Sequence, residues 1–359
     1  MGREESMRKK IIGCFLIVLI LMMSCSGCSS NNQKENTDKE EEAALQIGFS
    51  FDSFVIERWV RDRDAFVMTA KQLGAKVNVQ VANGDIETQI SQIKYFIKKK
   101  MDVIVIVATD GNTLRDVIKE AKDAGIKIVS YDRLIQNADT DLYISFDNEQ
   151  VGMDMAQALI DALPEGGDIY MIGGPESDNN VSMIERGFNK LIEKSKLKIV
   201  YKNSCDNWNA ELASKYVDEA LAEYPDVKGI MCGNDDLASE VFQVLSENRM
   251  AGKVCIVGQD AELSACQRIV EGTQTMTVFK QVEDLAKAAA YLSVALGHGK
   301  DIMDAAQNLD YYVQETIDDG TNQIPYYKLD CIPVTVDNMD KVIVDSGFHT
   351  REDVYLNVQ

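Results

Sequence analysis

Histidine is nearly absent. His298 and His349 are the only two in 359 residues, remote from each other and without ligand spacing. Cys25 and Cys28 have a Cys-x-x-Cys spacing but no second ligand pair, so the sequence excludes a metal centre. Basic residues are also scarce: 37 Lys and Arg face 58 Asp and Glu, a formal charge of -21. Phosphate backbones require clustered cations, which excludes a nucleic-acid partner and leaves the acidity as a well-solvated surface. The one extended apolar run, residues 11–23, has 13 residues, against the roughly 20 that a membrane-spanning helix needs. Gly173-Gly174-Pro175 lacks the full glycine pattern of a nucleotide loop, and no His or Tyr is placed as an acid. A Rossmann oxidoreductase is therefore a distant alternative, and no cofactor is expected.

What the chain does have is a repeated phrase. Nine short apolar runs each stop on a polar residue: 47–51 at Asp52, 77–82 at Asn83, 103–109 at Asp110 and 126–131 at Asp132-Arg133. In the second half, 169–172 leads through Gly173-Gly174 to Asp178 and Asn180, and 199–201 reaches Asp206 and Trp208. Runs 229–233, 254–259 and 276–279 stop at Asn234, Asp260 and Lys280. Helical periodicity fills the intervals, for example 57–73, 86–99, 114–124, 149–163 and 210–223. Alternating strands and helices predict an α/β fold with parallel sheets covered on both faces. The length, and four or five units before about residue 147 with four more after it, predict two similar lobes. Ligands of such sheets sit beyond the carboxyl ends of the strands, where these polar residues lie.

The first 44 residues read differently. Arg8, Lys9 and Lys10 precede the 13-residue apolar run, which ends in Met22-Met23-Ser24-Cys25. That order resembles a bacterial lipoprotein signal, with residues 1–24 removed and Cys25 acylated; Cys28 is the competing acceptor. Residues 29–42 contain no apolar side chain, so 25–44 is expected to be a flexible tether that holds the body at the outer face of the cytoplasmic membrane. The body holds five cysteines, an odd number; Cys232 and Cys255 lie in apolar runs, so no disulfide framework is expected.

The strand endings offer carboxylates, amides and cations together, with Arg58 added from a helix start. Sugar hydroxyls both donate and accept, so this mixture suits a neutral polyol, and the two tryptophans, Trp59 and Trp208, could clamp its C–H faces. Asp52, Asn83, Asp110 and Asp206 read as caps and turns, and Arg61-Asp62-Arg63-Asp64 as a solvated helix face with local ion pairs.

A family resemblance rests on Glu57-Arg-Trp with Asp62-Arg-Asp, Leu73-Gly-Ala-Lys-Val, Ala82-Asn-Gly with Glu87-Thr-Gln, Tyr131-Asp-Arg and Tyr143-Ile-Ser-Phe-Asp-Asn-Glu. It continues through Asp178-Asn-Asn, Gly258-Gln-Asp-Ala and Gly272-Thr-Gln-Thr-Met-Thr-Val. From about 45 to 348 the chain resembles the xylose-binding branch of the type I periplasmic binding proteins of bacterial sugar ABC importers. The resemblance implies two Rossmann-like lobes joined by a three-stranded hinge, with 45–147 plus 281–318 in the first lobe and 148–280 plus 319–359 in the second. It implies sugar contacts at Arg58, Asp132, Arg133, Asp178, Asn180, Asn234, Asp260 and Lys280, with Trp59 and Trp208 stacking on the ring. The implied protein is a monomer and not an enzyme. It would capture D-xylose and deliver it to an ABC permease, or act as a sugar-sensing co-receptor for a histidine kinase or chemoreceptor.

Overall fold

The computed structural model describes residues 44–307, 309 and 314–358; the expected signal, lipidation sites and most of the tether lie outside them. Five strands open the chain: β1 (Gln46–Phe51), β2 (Lys76–Val81), β3 (Val103–Ile106), β4 (Lys127–Tyr131) and β5 (Leu142–Phe146). Helices α1 (Arg58–Gln72), α2 (Ile86–Lys98) and α3 (Arg115–Asp123) alternate with the first four. The pattern then restarts with α4 (Asn148–Ala162), β6 (Gly167–Gly173), α5 (Asn179–Ile192), β7 (Leu197–Ser204) and α6 (Glu211–Glu223). It ends with β8 (Gly229–Cys232), α7 (Asp235–Glu247), β9 (Cys255–Gln259), α8 (Leu263–Val270), β10 (Met276–Phe279) and α9 (Val282–Gly297). Strands β11 (Gln314–Asp318), β12 (Gln323–Leu329) and β13 (Ile332–Val334) close the architecture.

These strands form two sheets, ordered β11-β12-β5-β4-β3-β1-β2 and β13-β10-β9-β8-β6-β7. Among the described residues only the β11–β12 and β10–β13 pairs are antiparallel. Their residues explain why both sheets are covered on each side. β3 is buried throughout, and its alternate residues face opposite cores: Val103 and Val105 pack with Phe49 and Phe66, whereas Ile104 and Ile106 pack with Ile93, Phe96 and Ile118. In the second sheet Tyr170 and Ile172 join one core while Ile169 and Met171 join the other.

The chain passes between the sheets at Asp147, at Lys280-Gln281 and at Asp330-Cys331. The last crossing differs from the sequence boundary, which gave 319–359 to the second lobe: β12 pairs with β5 in the first sheet. Asp319 holds the hairpin there, because its carboxylate accepts the Ala138 and Asp139 N–H groups at 3.0 and 2.7 Å. Hairpin pairing of this kind depends on partners remote in sequence, which local periodicity does not report. After β13 the tail packs on the second lobe, with Met339, Ile343 and Val354 against Ala261, Cys266, Ile269 and Phe279. All five described cysteines are free thiols; Cys232 is buried as expected of a small hydrophobe, whereas Cys255 is only half-buried.

Candidate functional site

Polar strand endings from both sheets, though not Asn83, Asp110 or Asp206, meet in one cleft. All ten residues singled out from the sequence are buried, none more than 7% exposed, which shields their hydrogen bonds from water. On the first lobe, Arg58 opens α1 and pairs with Asp62 at 3.0 Å and with Asp132 at 2.9 Å. Burial opposes the charge of Arg58, but Asp132 and Asp62 outweigh it and hold the guanidinium firmly protonated. Asp62 is fully buried and also accepts the Tyr131 hydroxyl, so the reading of 61–64 as a solvated face fails at this residue. The i,i+4 spacing from Arg58 was the signal that could have found it.

Asp132 follows β4 in a left-handed conformation, φ 62°. Its carbonyl accepts the hydroxyls of Tyr143 (3.0 Å) and Ser145 (2.7 Å), which fix a backbone turn that a non-glycine residue rarely adopts. Arg133 donates through Nη1 to Asp52 (2.9 Å) and to the Ala108 carbonyl (2.9 Å). Asp52 therefore joins the site network rather than serving only as a cap or turn. Asp110, by contrast, forms the expected local turn by accepting from the Asn112 N–H, and Asn83 is a left-handed turn residue. Trp59 carries both cations, with the guanidinium carbons of Arg58 and Arg133 at 4.5 and 5.7 Å from its ring centre.

The second lobe presents its groups from helix caps and strained turns. Asp178 caps α5 with Oδ1 and uses Oδ2 for the Trp208 indole N–H at 3.2 Å and for Arg133 Nε at 2.8 Å. Burial pushes the Asp178 carboxyl up, against the pull of Arg133. Trp208 has φ 55° and lies on two glycines: a Cβ on Gly174 would sit 2.4 Å from the ring, and one on Gly233 3.1 Å from it. Asn234 caps α7 through Oδ1 and leaves Nδ2 without a protein partner. Asp260, φ 94°, lies 3.7 Å from Lys280, whose ammonium is 5.8 Å from the Phe146 ring centre.

Several contacts join the lobes directly. Asn180 Nδ2 donates to Asp132 Oδ1 at 3.0 Å, Asn179 Nδ2 donates to the Leu134 carbonyl at 2.9 Å, and Arg133 reaches Asp178. The cleft is thus closed, and within it Arg133 Nη2, Trp59 Nε1 and Asn234 Nδ2 have no protein partner among the described residues. Behind Asn234 and Asp260 lies a buried set that the sequence reading missed. Asp235 accepts the Thr277 hydroxyl at 2.6 Å and Gln274 Nε2 at 3.0 Å, and burial pushes its carboxyl up to about 7. Arg268 is nearby but donates to Gln274, Ser239 and a backbone carbonyl instead of a carboxylate.

The chain has close parallels among known proteins. Residues 47–301 match the periplasmic binding protein domain. The chain belongs to the periplasmic binding protein family. It is 43% identical over 316 residues to the D-xylose-binding periplasmic protein of Haemophilus influenzae, covering 87% of this chain and 92% of that one. Identity to the Escherichia coli protein of the same description is 40% over 315 residues, covering 86% and 92%. A carbohydrate transporter solute-binding protein from Chloroflexus aurantiacus, solved in complex with D-glucose, superposes with a TM-score of 0.76 at 26% identity, covering 86% and 98%. The family carries the type I periplasmic binding protein fold expected above. Its members are exported solute-binding proteins rather than enzymes, and so is this chain.

Proposed function

We propose that this protein captures D-xylose in the closed cleft and delivers it to an ABC importer in the membrane. The observation that carries this reading is the convergence, from both lobes, of buried charged and amide groups with unpartnered donors at Arg133, Trp59 and Asn234. Arg58, Asp132, Arg133, Asp178, Asn180, Asn234, Asp260 and Lys280 are assigned to the hydroxyls. Hydrogen bonds to charged groups contribute about 1.5–3 kcal/mol each, and a polyol can both donate and accept in such a ring. Trp59 and Trp208 are assigned to the C–H faces of the sugar. The choice of a pentose rests on the two relatives described as D-xylose-binding. The lobes, 45–147 with 281–329 and 148–280 with the tail from 332, close as units about the three crossings. Only a ligand that prefers the closed arrangement can shift that equilibrium.

The same reading puts a lipid on Cys25, with Cys28 as the alternative acceptor, and leaves the monomeric body tethered outside the cytoplasmic membrane. Cys25→Ser would then release the protein from membranes in a fractionation assay. Ligand capture is tested by calorimetric titration of the purified protein with xylose, ribose, arabinose, glucose and galactose. Heat and a rise in thermal midpoint are expected with xylose, since a ligand bound only by the folded form stabilises it. Absence of both with all five sugars rejects the reading.

A further inference from the structure

The closed cleft is fastened at a second place, away from the assigned sugar contacts. Arg61 lies on α1, three residues after Arg58, and is half-buried. Its Nη1 donates to the Phe348 carbonyl at 3.2 Å, and its guanidinium sits 4.5 Å from the centre of the Phe348 ring. The two residues come from different lobes. α1 packs against α9 beside the first sheet, whereas Phe348 belongs to the tail packed on the second lobe.

Phe348 is itself held by groups that adjoin the cleft. Its ring centre is 4.8 Å from that of Phe279, the residue before Lys280. The neighbouring His349 ring nitrogen Nε2 lies 2.9 Å from the Ala261 carbonyl, directly after Asp260. Arg61 makes no ion pair among the described residues, so its polar contact to the tail is not a by-product of a local charge partner. A cation over an aromatic face, combined with a charge-assisted hydrogen bond, is directional, so its strength depends on how the two lobes are placed.

We propose that Arg61 and Phe348 form a clasp that sets the lifetime of the closed state, acting as positioning residues without touching the sugar. The inference rests on the reading that the lobes open and close around a ligand. On this proposal the contact, which joins the two lobes in the closed arrangement, breaks on opening, so that removing it accelerates release and leaves the encounter step unchanged.

The test is Arg61→Ala in the purified protein, with Arg61→Lys and Phe348→Leu beside it. Stopped-flow fluorescence from Trp59 and Trp208 reads sugar release. Arg61→Ala is expected to raise the dissociation rate about fivefold with an unchanged association rate. Arg61→Lys recovers part of the effect, and Phe348→Leu, which keeps the backbone acceptor, shows a smaller change in the same direction. The sugar-free thermal midpoint stays that of the parent protein, which a merely structural role for Arg61 would not allow. Small-angle scattering of the sugar-free protein reads the same equilibrium without any ligand, and Arg61→Ala is expected to shift it toward the larger, open form. Unaltered dissociation together with unaltered scattering overturns the clasp. If no monosaccharide binds the parent protein, the proposed function falls, and the scattering comparison alone decides this inference.

Discussion

The two lobes line one cleft with different electrostatic solutions. In the first, each cation is met by carboxylates: Arg58 by Asp62 and Asp132, Arg133 by Asp52, with Asp178 added across the cleft. In the second, Arg268 donates to neutral oxygens, and the buried carboxyls of Asp235 and Glu262 are pushed up to about 7 and about 10. The first lobe pairs its buried cations closely with carboxylates; the second pairs Lys280 with Asp260 at 3.7 Å, leaves Asp235 and Glu262 pushed toward the neutral form, and positions its ligand groups by caps and left-handed turns. Buried ions survive only when paired, and the alternative to pairing is neutralisation.

Breaking the pairing in the first lobe should have the largest effect. Asp132→Ala removes a partner of Arg58 and the acceptor for Asn180, leaving a buried cation short of a counter-charge. Loss of about 3 kcal/mol of stability is expected, with sugar binding lost from calorimetry. Denaturant unfolding of the sugar-free protein checks the first part. Stability equal to that of the parent would show that Asp62 alone neutralises Arg58.

Trp208→Ala tests whether the second lobe depends on a turn instead of an ion pair. We expect xylose affinity to fall by about 1–3 kcal/mol. Gly174→Ala should lower affinity in the same direction, because its methyl group would displace the ring. Titration of both variants checks this, and full affinity in both would remove the tryptophan from the site.

Asn234→Ser separates capping from recognition. Serine keeps an oxygen for the Leu237 N–H but has no counterpart of Nδ2. Affinity should fall by about 1 kcal/mol while the thermal midpoint stays put. A fall in the midpoint with intact affinity would make Asn234 a cap alone.

This separation also explains what could be read from the sequence. The nine apolar runs hold strands because their patterning is a local property, and β1, β8 and β10 coincide with them almost residue for residue, whereas β3 stops at Ile106 within the run 103–109. A residue can be both a cap and part of the cleft: Asp178 caps with Oδ1 and holds Trp208 and Arg133 with Oδ2, and Asn234 caps with Oδ1 and leaves Nδ2 unpartnered among the described residues. Asp62 and Asp64 stand two residues apart in one charged tetrapeptide, yet Asp62 is fully buried and Asp64 is exposed. Besides the i,i+4 spacing from Arg58, what distinguishes them is the arrival of Tyr131 from β4, a contact across about 70 residues. The β11–β12 hairpin was assigned across a boundary for the same reason: its place depends on β5 and on the loop at residues 137–139.

A pH dependence separates the lobes further through two other buried carboxyls of the second lobe, Glu262 and Asp235. Glu262 is pushed up by burial first, then by Asp235, Asp236, Asp260 and Glu57, the last reaching it from the other lobe. In the unfolded chain its carboxyl ionises near the ordinary glutamate value of about 4.3. Between that value and about 10 the folded state retains a proton that the unfolded state has released, so stability falls as pH rises through this window. Asp235 adds to the decline between the ordinary aspartate range and about 7. Glu262→Gln cannot ionise, so its thermal midpoint should decline less steeply between pH 5 and pH 9 than that of the parent, without affecting the first lobe. Parallel slopes would mean that the second lobe does cancel its buried charge, through a partner other than Arg268, and the contrast between the lobes would shrink to one of geometry.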